Sequence, residues 1–274
     1  MPGLQTSTGA ADIVAWDVEE CRAWHLPLTY GSNRPLAWAL GEWNAATCSW
    51  QNEMLWTAGA GGGAATAEVL LIDGETGVIN ATVSIPEVNN GIGIYGGAVD
   101  GDGNFWGTES GQRLIRVDRV TQDYTLYPAV QGAPSYGIAV DSKGRPWVCG
   151  GGGASRFDEA TQTYQTYVGS GTGIGGCMTD GQGTLWHSRY PEGVLVGIDT
   201  ETVLPVSELV IPAYVHGVSI DFSGNVWGVT FASTSVFRVD PVTGQVDTYD
   251  GLVGAYTYSD MTGFALSSAG VPTG

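Results

Sequence analysis

The chain has 274 residues, 43 of them glycine, with 14% charged side chains and a net charge of −18 at pH 7. That acidity argues against nucleic acid or anionic membrane as a partner, because both repel a strongly negative surface. No apolar run approaches the ~18 residues of a membrane-crossing helix, and the length fits one all-β domain over 1–274 better than two.

The first predicted strands are DIVAWD, ending at Asp17, and CRAWHLPL just beyond. The opening MPGLQTSTG has no leader pattern and reads as a trimmed or cut boundary. A unit over roughly 33–88 follows, with EMLWTAG around Trp56, EVLLID ending at Asp73 and then ATVSIP. Residues 89–131 carry GGAVDGDGNFW, RLIRVD and YTLYP; residues 132–170 carry GIAVDSKGRPW, GASRFD and YQTYV. Residues 171–213 hold GCMTDGQGTLW and VLVGID, and 214–253 hold GVSIDFSGNVW, SVFRVD and VDTYD. The chain closes with GFALSSAG from Gly263.

The same sentence is therefore written four times: Gly, three residues of apolar bias, Asp, two variable residues, Gly, two more, Trp. Its aspartates, Asp100, Asp141, Asp180 and Asp221, step by 41, 39 and 41 residues. Runs rich in β-branched and aromatic residues between Gly, Asp and Pro turns read as strands, and Asp-Gly turns tolerate positive φ. Four short strands per repeat of about 40 residues, with no helical period, predict an all-β β-propeller of four-stranded antiparallel blades. The repeated Trp reads as the plug between neighbouring blades. The N-terminus begins with the last two strands of a blade and the C-terminus stops after a first strand. Together they predict a composite blade that closes a six-bladed ring and protects its sheet edges, with residues 12–28 pairing with 260–268. Seven blades is the alternative if the chain is part of a longer one.

Cysteine placement tests this arrangement. Cys21 falls in a turn between third and fourth strands, and Cys48 in the insert after the next blade's first strand, at the same end of the propeller. Cys149 ends a second strand and Cys177 begins the following first strand, at the other end. The matching faces predict bridges Cys21–Cys48 and Cys149–Cys177. Four cysteines allow three pairings, so geometry has to decide. Bridges would place the protein in an oxidising compartment, extracellular or periplasmic.

The blade pattern G-[IV]-[AS]-[VI]-D-x-x-G-x-x-W, followed by the strand ending in D-P-x-T-G, resembles the virginiamycin B lyase (streptogramin lyase) propellers and overlaps with NHL-type propellers. That resemblance implies a propeller fold. It also implies elimination at an ester of a cyclic depsipeptide, with Mg²⁺ beside Glu and His. In WGTES, Glu109 matches the family's W-F-T-E glutamate, and in HGVSID, His216 matches its P-H-G-I histidine. The other blade tryptophans are followed by VCG, HSR, GVT and TAG, and no segment has Glu and His two residues apart.

Two rows of residues converge on one mouth of the axial channel. The residue before each blade glycine gives Tyr95, Tyr136, Gly175, His216 and Thr262. The third residue after each tryptophan gives Gly59, Glu109, Gly150, Arg189 and Thr230. Tyr95, Tyr136, Arg189, His216 and Glu109 are thus the predicted ligand-binding set for a small molecule, glycan or protein at the mouth of a monomeric propeller. The alternative is a lyase or lactonase acting on a cyclic ester, with Glu109 and His216 catalytic and Glu109 holding Mg²⁺ or Ca²⁺. DGDGN at 100–104 begins like a calcium loop, but it lacks the later glycine and distal glutamate and occupies the hairpin turn of every blade. His187, next to Trp186, reads as packing, and His25 as part of an outer strand.

Overall fold

The computed structural model describes residues 5, 11, 13–15, 18–39, 41–109, 113–130 and 136–257. The described residues form five four-stranded antiparallel sheets, a two-stranded hairpin and no helix. Blade one contains β1 (Ser32–Ala39), β4 (Met54–Gly61), β5 (Ala64–Asp73) and β6 (Ile79–Ile85). Between its first two strands lies the separate hairpin of β2 (Glu42–Asn44) and β3 (Ser49–Gln51). Blade two is β7 (Ile94–Val99), β8 (Phe105–Glu109), β9 (Leu114–Val117) and β10 (Tyr124–Tyr127). Blade three is β11 (Gly137–Val140), β12 (Pro146–Gly150), β13 (Gly153–Asp158) and β14 (Thr163–Val168). Blade four is β15 (Cys177–Thr179), β16 (Thr184–Arg189), β17 (Val194–Asp199) and β18 (Pro205–Val210). Blade five is β19 (Val215–Ile220), β20 (Val226–Thr230), β21 (Val236–Val239) and β22 (Val246–Tyr249). The first strands β1, β7, β11, β15 and β19 lie side by side in that order, as the inner strands of a propeller do.

The repeated motif is a turn held by its aspartate. Asp141 Oδ1 accepts the backbone N–H groups of Lys143 and Arg145 at 2.9 and 3.1 Å. Asp100, Asp180 and Asp221 do the same two and four residues on. The intervening glycine takes the positive φ that this turn needs: +81° at Gly103, +76° at Gly144, +103° at Gly183 and +85° at Gly224. The other carboxylate oxygen accepts the indole N–H of the blade tryptophan, at 2.8 Å for Asp100–Trp106, 3.0 Å for Asp141–Trp147 and 2.8 Å for Asp221–Trp227. The Asp-to-Trp spacing is thus fixed by one bond that satisfies a buried donor. Blade four departs, since the Trp186 indole N–H has no hydrogen-bond partner among the described residues. Blade one lacks the motif, and its Trp56 donates to the Gly103 carbonyl of blade two at 2.9 Å.

Trp56, Trp106, Trp147 and Trp186 each reach into the next blade. Trp56 packs with Phe105, Ile115 and Val117; Trp106 with Ile138, Val140 and Phe157; Trp147 with Leu185, Val196 and Ile198; Trp186 with Val218, Ile220 and Phe237. Burying one indole contributes about 4–6 kcal/mol of apolar transfer free energy. This makes the tryptophans the main inter-blade adhesive.

The second repeated aspartate caps the turn between third and fourth strands. Asp73, Asp118, Asp158, Asp199 and Asp240 each accept the backbone N–H of the residue three positions on, at 2.7–3.1 Å. These Asx turns hold the outer hairpins of all five blades.

One of the two expected disulfides is present. Cys149 of β12 and Cys177 of β15 are joined, with Cα atoms 6.1 Å apart, and clip blade three to blade four. The other is not formed, because Cys21 and Cys48 are both exposed free thiols. Cys48 sits in the turn of the β2–β3 hairpin with a φ of 48°, and its sulfur faces the Ala45 carbonyl at 3.7 Å. The insert folds on itself instead of presenting its cysteine to the preceding segment.

The predicted composite blade depends on residues 260–268, which lie outside the described residues. Among the described residues before Ser32 no strand is assigned. Residues 21–30 nevertheless alternate strictly between exposed and half-buried, the period of an extended chain. Of the half-buried positions, the hydrophobic ones, Trp24, Leu26, Leu28 and Tyr30, pack on Leu55, Leu70 and Ile72 of blade one.

Candidate functional site

The strand register explains why the two predicted rows share one end. Ile94 stands opposite Glu109, Gly137 opposite Cys149, and Val215 opposite Thr230. The start of each inner strand therefore meets the end of its blade's second strand. From there the side chains go different ways.

Tyr95, Tyr136 and His216, from blades two, three and five, come together. The Tyr95 hydroxyl donates to the Tyr136 oxygen at 2.9 Å, and the Tyr136 hydroxyl lies 2.8 Å from His216 Nε2. His216 reaches past blade four, whose matching residue is Gly175. His216 Nδ1 lies 2.8 Å from the Tyr214 hydroxyl, which donates to the Ile174 carbonyl at 2.9 Å. The His216 side chain is fully buried. Burial pushes its pKa from 6.5 down to about 4, so the ring is neutral at pH 7. Burial pushes the Tyr214 phenol up to about 12. It raises Tyr136 too.

Around this core stand residues that the two rows did not include. Tyr256 stacks on the His216 ring at 5.4 Å and its hydroxyl is 3.3 Å from that of Tyr136. Phe231 lies 5.1 Å from the His216 ring and meets Tyr256 edge-on at 5.2 Å. Tyr190 meets Tyr214 edge-on at 5.0 Å. The guanidinium of Arg34 lies over the Tyr95 ring at 5.0 Å. Phe231, Tyr190 and Tyr256 are 50, 42 and 40% exposed above a buried floor. Phe231 and Tyr190 each follow a row residue directly, and Tyr214 precedes His216 by two. Those neighbours were findable; Tyr256, beyond the last strand, had no such signal.

Glu109 and Arg189 are drawn elsewhere. Glu109 is buried, and Arg113 donates to its Oε2 at 2.9 Å while Asn90 donates to its Oε1 at 2.9 Å. Arg113 also donates to the Glu87 carbonyl at 2.6 Å, so this carboxylate ties the loop between blades one and two. Arg189 is bonded to Glu192 at 2.7 Å and to both oxygens of Glu208 at 2.7 and 3.4 Å. Among the described residues, Glu109 and His216 thus share no hydrogen-bond partner. No group of three or more His, Cys, Asp or Glu side chains suited to a metal ion occurs among the described residues. Thr262 lies outside them. Asp100, the first aspartate of DGDGN, is occupied by Asn104 and Trp106 as a turn residue. His187 is buried opposite Cys177 with its ring 6.0 Å from Tyr167.

Blades, tryptophan plugs and an aromatic cluster at one end of the inner strands define a β-propeller. Solved structures share the fold. A virginiamycin B lyase from Staphylococcus aureus superposes with a TM-score of 0.60 at 17% identity, over 74% of this chain and 68% of its own. A streptogramin B lyase matches with a TM-score of 0.62 at 18% identity, over 82% and 70%. Kuenenia stuttgartiensis hydrazine synthase matches with a TM-score of 0.57 at 17% identity, over 72% and 62%. No protein-family model and no curated protein matches the sequence. The chain is a propeller of the virginiamycin B lyase type in fold.

Proposed function

We propose that this propeller is a binding module that takes a small molecule at the aromatic rim over His216. The observation that carries the reading is the contrast between the two halves of the predicted site. Tyr95, Tyr136 and His216 form a pre-organised, hydrogen-bonded floor under exposed rings. Glu109, the residue an elimination would need as metal ligand or base, is already neutralised by Arg113. Rigid aromatic floors with polar oxygens at the edge are the usual makings of a ligand site. The Cys149–Cys177 bridge supports an extracellular or periplasmic setting. No helix among the described residues is long and apolar enough to cross a membrane.

The test is a fragment screen read by crystallography or NMR, paired with turnover assays on streptogramin B and simple lactones with Mg²⁺ or Ca²⁺ and with EDTA. Fragments should settle against Phe231, Tyr256 and Tyr190, and no turnover should appear. Metal-dependent, EDTA-sensitive turnover that Glu109→Gln abolishes would establish the lyase or lactonase instead. A ligand seated away from these rings would overturn the site.

A further inference from the structure

The rings of this cluster are not held alike. Tyr95 and His216 lie within the inner strands β7 and β19, and Tyr136 leads into β11 with its N–H on the Cys149 carbonyl at 2.8 Å. Tyr256 comes instead on a strap, residues 250–257, that follows the last strand of blade five. Among the described residues, the backbone of this strap is held by the Leu252 N–H on the Thr234 carbonyl at 3.1 Å and the Ala255 N–H on the Ser233 carbonyl at 2.7 Å. Leu252 and Val253 are exposed, and the chain bends at Gly251 and Gly254, with φ of +101° and +60°. Segments with few buried apolar contacts open at the lowest free-energy cost in a fold. Neither of the two strap bonds belongs to the five sheets.

The Tyr256 side chain is seated as a ligand would be. Its ring stacks on His216 at 5.4 Å with 28° between the planes and meets Phe231 edge-on at 5.2 Å. Its hydroxyl lies 3.3 Å from that of Tyr136 and hydrogen-bonds with that of Tyr95. Beneath it His216 is fully buried. A para-hydroxyphenyl group of the chain itself thus displays what this floor accepts: a flat ring over an imidazole, with a phenol oxygen against two tyrosine hydroxyls. On the reading that this rim is a ligand site, we infer that Tyr256 is the site's own stand-in, and that the ligand which displaces it carries a hydroxyaromatic ring. A phenol hydroxyl both donates and accepts, so it suits Tyr95 and Tyr136 whichever way their hydrogens turn. The Arg34 guanidinium, fixed over Tyr95, disfavours a second cation there. Phe231 and Tyr190 receive the incoming ring at the rim, and the strap lifts as Tyr256 yields its place.

Two probes, para-cresol and toluene, are titrated into the full chain and its Tyr256→Ala and Tyr256→Phe variants, with the His216 and Phe231 ring signals followed by NMR. In Tyr256→Ala the place is vacated, and para-cresol should bind about three- to tenfold more tightly than toluene, the worth of one hydrogen bond. The unaltered chain must first give up its own ring, so para-cresol should bind it about tenfold more weakly than Tyr256→Ala. Tyr256→Phe keeps the packing, loses the hydroxyl and should fall between the two. At saturation of the unaltered chain, the Leu252 and Ala255 amides should exchange faster while the five sheets stay protected. Toluene binding Tyr256→Ala as tightly as para-cresol would overturn the hydroxyaromatic class and leave the ligand site standing. Equal para-cresol affinity for all three proteins, or unchanged exchange of the strap, would show that Tyr256 does not occupy the site. If Tyr256→Ala does not fold, the comparison of Tyr256→Phe with the unaltered chain decides the same point. If neither probe moves His216 or Phe231 in any of the proteins, the ligand site itself is refuted.

Discussion

At the scale of single residues, the Asp–Trp bond carries a prediction with its own control. In blade three Asp141 holds a backbone turn, the Trp147 indole N–H and the Arg145 side chain together. Asp141→Ala leaves a fully buried indole N–H without its acceptor and removes two turn bonds, while Arg145 keeps Glu201 and the Thr200 carbonyl, and should cost about 2–4 kcal/mol. Asp180→Ala removes the same turn bonds, but the Trp186 indole was never bonded to it. Its cost should be smaller by at least about 1 kcal/mol. Urea unfolding of the two variants decides the matter, and equal losses would show that the indole bond adds nothing. At the mouth, Tyr136→Phe deletes the hydrogen-bond partner of His216 Nε2 and the acceptor for Tyr95. It should destabilise the protein by about 1–3 kcal/mol and weaken ligand binding without removing a ring.

At the scale of elements, the bridge and the N-terminal segment can each be detached. Cys149–Cys177 closes a loop of sequence separation 28 between blades. Replacing both cysteines by Ala should cost roughly 3–4 kcal/mol in the loop-entropy account. Thiol titration of the native protein should find Cys21 and Cys48 reactive and Cys149 and Cys177 silent. Labelling of all four residues without denaturant would contradict the structure. The extended segment at 21–30 is seated partly by a glycine. A Cβ on Gly59 would lie 2.1 Å from the Tyr30 ring. Gly59→Ala should therefore push Tyr30, and with it Trp24, Leu26 and Leu28, off blade one. The measurement is faster amide exchange and easier proteolysis over residues 21–30, with the five sheets intact.

At the scale of the whole molecule, acid acts in two windows. His216 and His187 are neutral in the folded state, with pKa values pushed by burial from 6.5 to about 4. The unfolded chain takes up those protons first, so stability falls as pH drops from 6.5 toward 4 and then levels. The turn aspartates Asp73, Asp118, Asp158, Asp199 and Asp240 lie below their ordinary value of 3.8, held there by Thr and backbone hydrogen bonds. Their contribution is present above that value and is lost as pH falls through the lowered ones. Thermal melts from pH 8 to pH 2 should show both declines. A His216→Gln, His187→Gln pair should flatten the first and leave the second.

Much of this was legible in the sequence because the repeat is local chemistry. An aspartate that caps its own turn, a glycine at positive φ and a tryptophan bonded back to that aspartate act within six residues, so the motif alone specifies the hairpin. Repetition of the hairpin specified the blades, and the blades specified which end of each strand faces the mouth. That is why Tyr95, Tyr136 and His216 were found together and why Cys149 and Cys177 were matched. Tertiary structure decided everything that depended on where a long side chain turns. Arg189 and Glu109 occupy positions equivalent to the others, yet nearby opposite charges, Glu208 and Arg113, claimed them before the channel did. The β2–β3 hairpin took Cys48 away from Cys21 because an insert answers to no repeat. Tyr256 joined the cluster from beyond the last strand, and the seat of Tyr214 against His216 followed from one backbone carbonyl, Ile174. Neither leaves a trace in sequence spacing, because both are set by contacts between blades rather than within one.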